Sequence, residues 1–390
     1  MPIRMSDRLE CIAVSGILRM IGIARTMPDA IGLHVGEPDF PTPDHIRKAA
    51  ADFILKGRIR YVPSPGIPDL RELIARKLKT ENGIAVESSD IIVTAGATQA
   101  IYFAVAALVN PGDEVIAIEP CFGNFEGTVR IINGFPVKVP YRMEDGYARI
   151  DEKALSKVVT PRTRAIIINS PNNPTSTVLP KEELEKIAKI AIANNIVVIA
   201  DEVYDHIVYD GVKPVSMATL PGMADLTITM NSFSKTYAMT GMRIGYLALK
   251  DQKIVQKLAA LQENSMICLS PVIQEAAKAA LTGPQDCIEE MRREFEKRRD
   301  FLLKRLGEIK GIHIQRPRGA FYFFPDISEF GLSSYDFCEE LMMKAHVLTV
   351  PGTAFGSSGE GHLRISFATD IKTLAEGMDR LEKFTKQLRK

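Results

Sequence analysis

The sequence predicts an α/β fold: a large unit on a mainly parallel sheet with helices on both faces, followed by a smaller α+β unit. Three observations predict it. First, five short runs at 90–96, 114–120, 164–170, 195–202 and 226–232 are β-branched and apolar, with the length of buried strands. Second, amphipathic segments lie between them; in 181–195, Leu184, Ile187, Ala188 and Ala191 share one helical face. Third, beyond a charged helix at 288–306, the runs at 318–325, 345–352 and 362–368 read as strands of a second, smaller sheet. The stretch before residue 45 has few strand signals and reads as an arm and a helix packing on that second unit. The expected division is therefore an N-terminal arm with part of the small unit at 1–45, a large unit at 46–285 and a small unit at 286–390.

Composition narrows the class. The chain has 390 residues, 46% hydrophobic and 25% charged, which is ordinary for a globular enzyme. A net charge of +1 lacks the basic excess of a dedicated nucleic-acid binder. Its five cysteines, Cys11, Cys121, Cys268, Cys287 and Cys338, form no C-x-x-C, and its six histidines form no H-E-x-x-H. Neither a disulfide framework nor a metal site is expected. Charges at the N-terminus occupy the place of a signal peptide's apolar core, and no apolar run approaches the ~20 residues of a membrane span. A soluble cytoplasmic protein is expected.

The strand runs end in polar residues or glycine: Thr94-Ala95-Gly96, Glu119-Pro120, Asn169-Ser170, Asp201-Glu202 and Asn231-Ser232. Open parallel sheets bind ligands beyond the carboxyl ends of their strands, so one sheet edge collects ligand-ready groups. Lys235 lies just past the last of these ends. An isolated lysine is ordinarily a solvated side chain. Here Ser232, Ser234 and Arg243 suit a phosphate, and Gly241 and Gly245 permit close backbone approach. An amine nucleophile beside a phosphate cradle suits a phosphorylated aldehyde. After the first run, Gly96, Ala97 and Thr98 open an apolar helix whose free N–H groups form an anion site; a tight turn capped by Thr98 is the competing reading.

Asp201 closes a buried strand, as a helix cap or as partner to a buried cation such as a pyridinium nitrogen. Tyr204, three residues on, is within reach of a ring hydroxyl or is an ordinary half-buried tyrosine. Asn173 in 169–176 is a donor to a ring oxygen or part of a proline-directed turn. Phe122 is a stacking ring or a core residue. Arg364 alternates with Leu363, Ile365 and Phe367: if buried it needs an anion such as a carboxylate, and if on an edge strand it faces water.

Together these segments resemble the class I/II aminotransferases, pyridoxal 5'-phosphate (PLP) enzymes of fold type I. The landmarks run in family order over nearly the whole chain: GEPDF (36–40), RYVPSPGIPDLRELIA (60–75), TAGATQA (94–100), SPNNPT (170–175), ADEVY (200–204), SFSKTYAMTGMRIGY (232–246) and HLRIS (362–366). The match is nearest the subgroup of prokaryotic aspartate and aromatic aminotransferases. The resemblance implies that Lys235 is the Schiff-base lysine and proton shuttle and that Asp201 pairs with the pyridine nitrogen. It implies that Tyr204 and Asn173 bond the ring oxygen and that Phe122 stacks on the ring. Ala97, Thr98, Ser232 and Arg243 would bind the phosphate, with Gly96 and Ser234 in the same cofactor-binding set. Tyr61 would reach the phosphate of a neighbouring subunit in a homodimer with shared active sites. Arg364 would grip the substrate carboxylate, helped by the Gly36 backbone and Asn173. Ser15 and Ile17 are expected to close over the substrate.

The sequence departs from the family pattern in three places. Ser176 stands where glycine normally follows N-P-T, Met242 stands where many relatives carry tryptophan, and Thr98 stands where some aspartate-using relatives carry a lysine. The implied reaction moves an amino group from an L-amino acid, aspartate or aromatic, to a 2-oxo acid such as 2-oxoglutarate. It runs in two half-reactions with ping-pong kinetics, with Lys235 as base and then acid. That role needs a lysine pKa below its reference of ~10.4. Rival readings are a lyase on the same scaffold, a PLP-binding regulator, for which no DNA-binding segment is seen, and a nicotinamide oxidoreductase, for which no G-x-G-x-x-G follows an early strand.

Overall fold

The computed structural model describes residues 5–10, 22, 27, 29–57 and 59–389. Seven strands form one sheet: β1 (Ile91–Thr94), β2 (Glu114–Glu119), β3 (Phe135–Pro140), β4 (Thr163–Asn169), β5 (Val197–Asp201), β6 (Thr227–Ser232) and β7 (Gly245–Ala248), in the spatial order β1-β7-β6-β5-β4-β2-β3. Strand β7 is antiparallel to both of its neighbours, and the remaining pairings are parallel. A sheet covered on both faces needs apolar side chains at successive positions. Strand β4 meets that need: Ile167 packs with Ile101, Phe103 and Ala104 of helix α1 (Ala97–Leu108), while Ile166 and Ile168 pack on the other face with Leu184, Ile187 and Ala191 of helix α2 (Lys181–Asn194).

Two strands of this sheet lie outside the runs read from the sequence. Strand β3 is at the sheet edge, where partial exposure and the prolines at 136 and 140 are tolerated. Strand β7 is four residues long and falls within the glycine-bearing segment that follows Lys235.

Beyond helix α3 (Asp286–Gly307), the short strands β8 (Tyr322–Phe323), β9 (Val350–Pro351) and β10 (Leu363–Ser366) make a second sheet, with β10 in the centre and antiparallel to both neighbours. The run at 345–352 divides: Val350–Pro351 joins this sheet, while Val347–Leu348 pairs in parallel with Ile31–Gly32. Leu33 continues the pairing, donating its N–H to Leu348 and accepting from Ser366 N–H, each at 2.8 Å. Residues 31–33 are thus bound to the C-terminal sheet. Helix α4 (Ile371–Leu388) covers it through Leu374, Met378 and Leu381. The same apolar cluster takes in Val203, Tyr204 and Ile207 after β5, so the C-terminal core abuts the carboxyl end of the large sheet.

Candidate active site

A cavity of about 390 Å³ opens at that junction. The ends of β4, β5 and β6 supply Asn173, Asp201, Tyr204, Ser232, Ser234 and Lys235; the start of α1 supplies Ala97 and Thr98; the turn after β2 supplies Phe122. Gly36, Arg243 and Arg364 complete the sequence-singled set lining it. Gly96 lies just behind the wall, and Tyr61 lies outside it, 84% exposed. Ser15 and Ile17 fall outside the described residues.

Lys235 sits in the short turn of helix at Phe233–Thr236, and its Nζ donates to the Gly36 carbonyl at 2.5 Å. Burial, reinforced by the positive charges of Arg364 and Arg243, lowers its pKa to about 8, with Glu37 and Asp201 pulling the other way. Asp201 ends β5 and is 5% exposed. Its carboxylate accepts one hydrogen bond, from Val203 N–H at 3.3 Å, and joins no ion pair among the described residues. Burial pushes its carboxyl up to about 7, opposed by that hydrogen bond and by Lys235. A buried carboxylate that faces the cavity and has no ion-pair partner among the described residues is suited to a cationic ring nitrogen.

Arg364 is on the central strand β10 and 7% exposed, which removes the solvent-facing edge reading. Its guanidinium donates to Asn173 Oδ1 at 2.9 Å and to the His34 carbonyl at 2.5 Å, lies over the Tyr322 ring at 4.5 Å, and leaves Nε without a partner. No carboxylate neutralises it among the described residues. Burial lowers its pKa, yet guanidinium remains charged, so the site holds a fixed cation awaiting an anion. Asn173 is held by its own N–H, which donates to Asn169 Oδ1 at 2.8 Å, and its amide NH₂ stays free to donate.

The anion cradle is built by close backbone approach. Gly96 caps α1 at φ +76°, and the Ala97 and Thr98 amides have no backbone acceptor among the described residues. A Cβ on Gly96 would stand 2.8 Å from Arg243 Nη2, and one on Gly245 would stand 2.9 Å from the Gly96 carbonyl carbon. Both glycines let Arg243 and the helix start converge, and Arg243 Nη1 also donates to the Thr240 carbonyl at 2.8 Å. Unpaired amides, Ser232, Ser234 and an arginine are the donors that a phosphate site needs. Phe122 stands edge-on to Phe125, with ring centroids 5.9 Å apart.

Tyr204 donates to or accepts from Tyr322 across 2.9 Å, and burial holds its pKa well above the ordinary value. Tyr322 was not singled out from the sequence: it lies in the aromatic run GAFYFFP, and its place in the cavity follows from its pairing opposite Ser366 of β10. Asn169, read only as a strand end, orients Asn173. Ser176, the departure from glycine, adopts φ +55°, and its Oγ accepts the Tyr322 N–H at 3.0 Å.

These residues fit PLP: a lysine amine of lowered pKa, a phosphate cradle, a carboxylate lacking its cation and an arginine lacking its anion. Similarity to known proteins points the same way. The family model "Aminotransferase class I and II" matches residues 28–381. The chain is 44% identical to the aromatic-amino-acid aminotransferase 2 of Thermococcus litoralis, over 98% of each chain. It is also 44% identical to the aspartate aminotransferase of Pyrococcus abyssi, again over 98% of each. The crystal structure of the aromatic aminotransferase from Pyrococcus horikoshii superposes with a TM-score of 0.92 at 42% identity, covering 98% of this chain and 99% of that one. Fold, cavity and full-length similarity agree: the chain belongs to the class I and II aminotransferases, PLP-dependent enzymes of fold type I.

Proposed function

We propose that this aminotransferase takes its amino group from an aromatic L-amino acid and delivers it to a 2-oxo acid such as 2-oxoglutarate. The observation that carries the donor class is the cavity wall. Besides Lys235, Arg243 and Arg364, no cation lines it among the described residues, while Ile101, Phe122, Phe125 and Met230 do. With Arg243 on the phosphate and Arg364 on the α-carboxylate, an apolar side chain has the better-matched surroundings. Aspartate is the second reading, supported by the name of the Pyrococcus abyssi relative.

PLP, when bound, supplies a carbonyl carbon for the amino group and an electron-accepting ring. The residues act around it. Arg364 binds the substrate carboxylate through its planar fork, and Asn173 keeps the fork oriented. Asp201 would hold its charge against the ring nitrogen, Tyr204 and Asn173 would donate to the ring oxygen, and Phe122 would stack on the ring. Gly96, Ala97, Thr98, Ser232, Ser234 and Arg243 hold the phosphate. Lys235, with a pKa near 8, is unprotonated in a useful fraction at neutral pH, and its Nζ takes the substrate α-proton and returns it.

A homodimer with shared sites is part of this reading: Ile54, Leu55, Ile59 and Tyr61 are large side chains exposed within one short stretch of chain, which a partner subunit would cover, and in such a dimer Tyr61 would serve the partner's phosphate. A cytoplasmic location accords with the unpaired Cys121, Cys268, Cys287 and Cys338 and with the lack, among the described residues, of any helix long and apolar enough to cross a membrane. The division at residues 45 and 285 is supported by α3 opening the C-terminal sheet's covering layer and by residues 31–33 pairing with that sheet. The test is a panel of phenylalanine, tyrosine, aspartate and alanine against 2-oxoglutarate, with light scattering for mass. Turnover highest with the aromatic donors supports the reading. Preference for aspartate overturns the donor, and a monomer overturns the shared site.

A further inference from the structure

We propose that Tyr322 is a positioning residue for the reaction: its hydroxyl donates to the Tyr204 oxygen, leaving the Tyr204 proton directed at the cofactor's ring oxygen. The inference rests on the reading of Tyr204 given above. Each of these buried hydroxyls has the other as its one hydrogen-bond partner among the described residues, at 2.9 Å, with the rings edge to face at 84°. Only one of the two can donate in that bond. If Tyr204 donated to Tyr322, its proton would be withdrawn from the cavity. If Tyr322 donates, Tyr204 becomes both an acceptor and a stronger donor, because bonds in such a chain polarise one another.

The surroundings favour Tyr322 as the donor. The Arg364 guanidinium stands 4.5 Å over the Tyr322 ring, and a cation there makes the attached hydroxyl the more acidic of the two. Tyr322 is also held tightly. Its N–H is bonded to Ser176 Oγ at 3.0 Å, and its hydroxyl fills the space over Gly36, where a Cβ would stand 2.5 Å from it. Tyr322 therefore touches the substrate-binding arginine on its ring face and the ring-oxygen tyrosine at its tip.

The test uses the PLP-loaded enzyme and follows its visible absorbance against pH in wild type, Tyr322→Phe, Tyr204→Phe and the double variant. A donor to the ring oxygen withdraws negative charge from it and so lowers the pH at which the cofactor's link to Lys235 loses its proton. Tyr322→Phe is expected to raise that midpoint by about half a unit to one unit. Tyr204→Phe should raise it further, and adding Tyr322→Phe to Tyr204→Phe should change nothing more. Ser176→Ala, which loosens Tyr322 without removing its hydroxyl, should give a smaller rise. An unchanged or lowered midpoint in Tyr322→Phe overturns the inference, as does a shift that adds in full to that of Tyr204→Phe. Survival of the titrating band in Lys235→Ala overturns the cofactor reading itself, and is recognised separately from the other results.

Discussion

Replacing Lys77 by methionine should unsettle the active site from a distance. Lys77 lies on the helix Pro68–Glu81 and makes an ion pair with Asp205, the two side chains being 9% and 7% exposed. The same carboxylate oxygen of Asp205 accepts from Asn231 Nδ2 at 2.9 Å and Asn82 Nδ2 at 3.2 Å. Asp205 follows Tyr204 and Asn231 precedes Ser232, so this cluster ties together two strand ends that line the cavity. The pair holds the Asp205 carboxyl at about 2, below its ordinary 3.8, and raises Lys77. Both effects favour the charged forms despite burial. Removing one member of a buried pair costs about 3–5 kcal/mol, because the other charge remains without its partner. For a chain of 390 residues that is a fall of about 4–6 °C in Tm. Urea denaturation of Lys77→Met, Asp205→Asn and the double variant measures it, with the double variant recovering at least about 2 kcal/mol of the summed loss. The stabilisation from Asp205 is present above pH 3.8 and is lost as the pH falls through about 2. Single variants within about 1 kcal/mol of wild type, or a double variant equal to their sum, would refute the coupling.

Other consequences are as specific. In the cofactor-free protein Asp201 keeps a proton that the unfolded chain releases between pH 3.8 and about 7, so its contribution falls as pH rises through that window, by up to about 1.4 kcal/mol per unit. His34, lowered to about 4 by burial, works in the opposite sense, so the quantity to measure is the difference between wild type and Asp201→Asn at pH 5 and 7. Equal pH dependence in both proteins would count against the buried acid. Ser176→Ala orphans the buried Tyr322 N–H and should cost about 1–3 kcal/mol in a denaturation series. Ser176→Gly loses the same acceptor but relieves the left-handed backbone and should be about 1 kcal/mol more stable than the alanine variant. Arg364→Ala should lower kcat/KM by about 10²–10³ for amino acid and oxo acid alike, since both present a carboxylate; a loss below tenfold would contradict the assigned contact.

Five strands of the large sheet are legible in the sequence because a strand covered on both faces must be apolar at nearly every position, as Ile166, Ile167 and Ile168 are in β4; β1 shares the pattern because, although it lies at one edge of the sheet, all four of its residues are buried. The edge strand β3 escapes that pattern, since its solvent-exposed edge admits a lysine and two prolines and leaves only Pro136 and Val139 buried. Strand β7 is hidden because Gly245 and Tyr246 adjoin residues that advertise a phosphate. The site is legible where chemistry falls at the end of a strand, as at Asp201, or in an unusual cluster, as around Lys235. Tyr322 is not, because its partner Tyr204 is 118 residues away and its place is fixed by strand pairing and by Ser176. Ser176 shows the converse: the sequence marks it as a departure, but only three dimensions reveal that its hydroxyl serves the residue next to Arg364.

The pairing of residues 31–33 with the C-terminal sheet has a mechanical meaning. Through the His34 carbonyl the same strap clasps Arg364, and through the Gly36 carbonyl it holds Lys235. On the proposed roles of Arg364 and Lys235, one strap carried on the outer sheet would hold both the carboxylate's arginine and the reacting amine. Its seat is Gly377 of α4, where a Cβ would stand 2.9 Å from Leu33. A glycine on the buried face of this helix thus leaves the room in which the strap carrying His34 and Gly36 is seated.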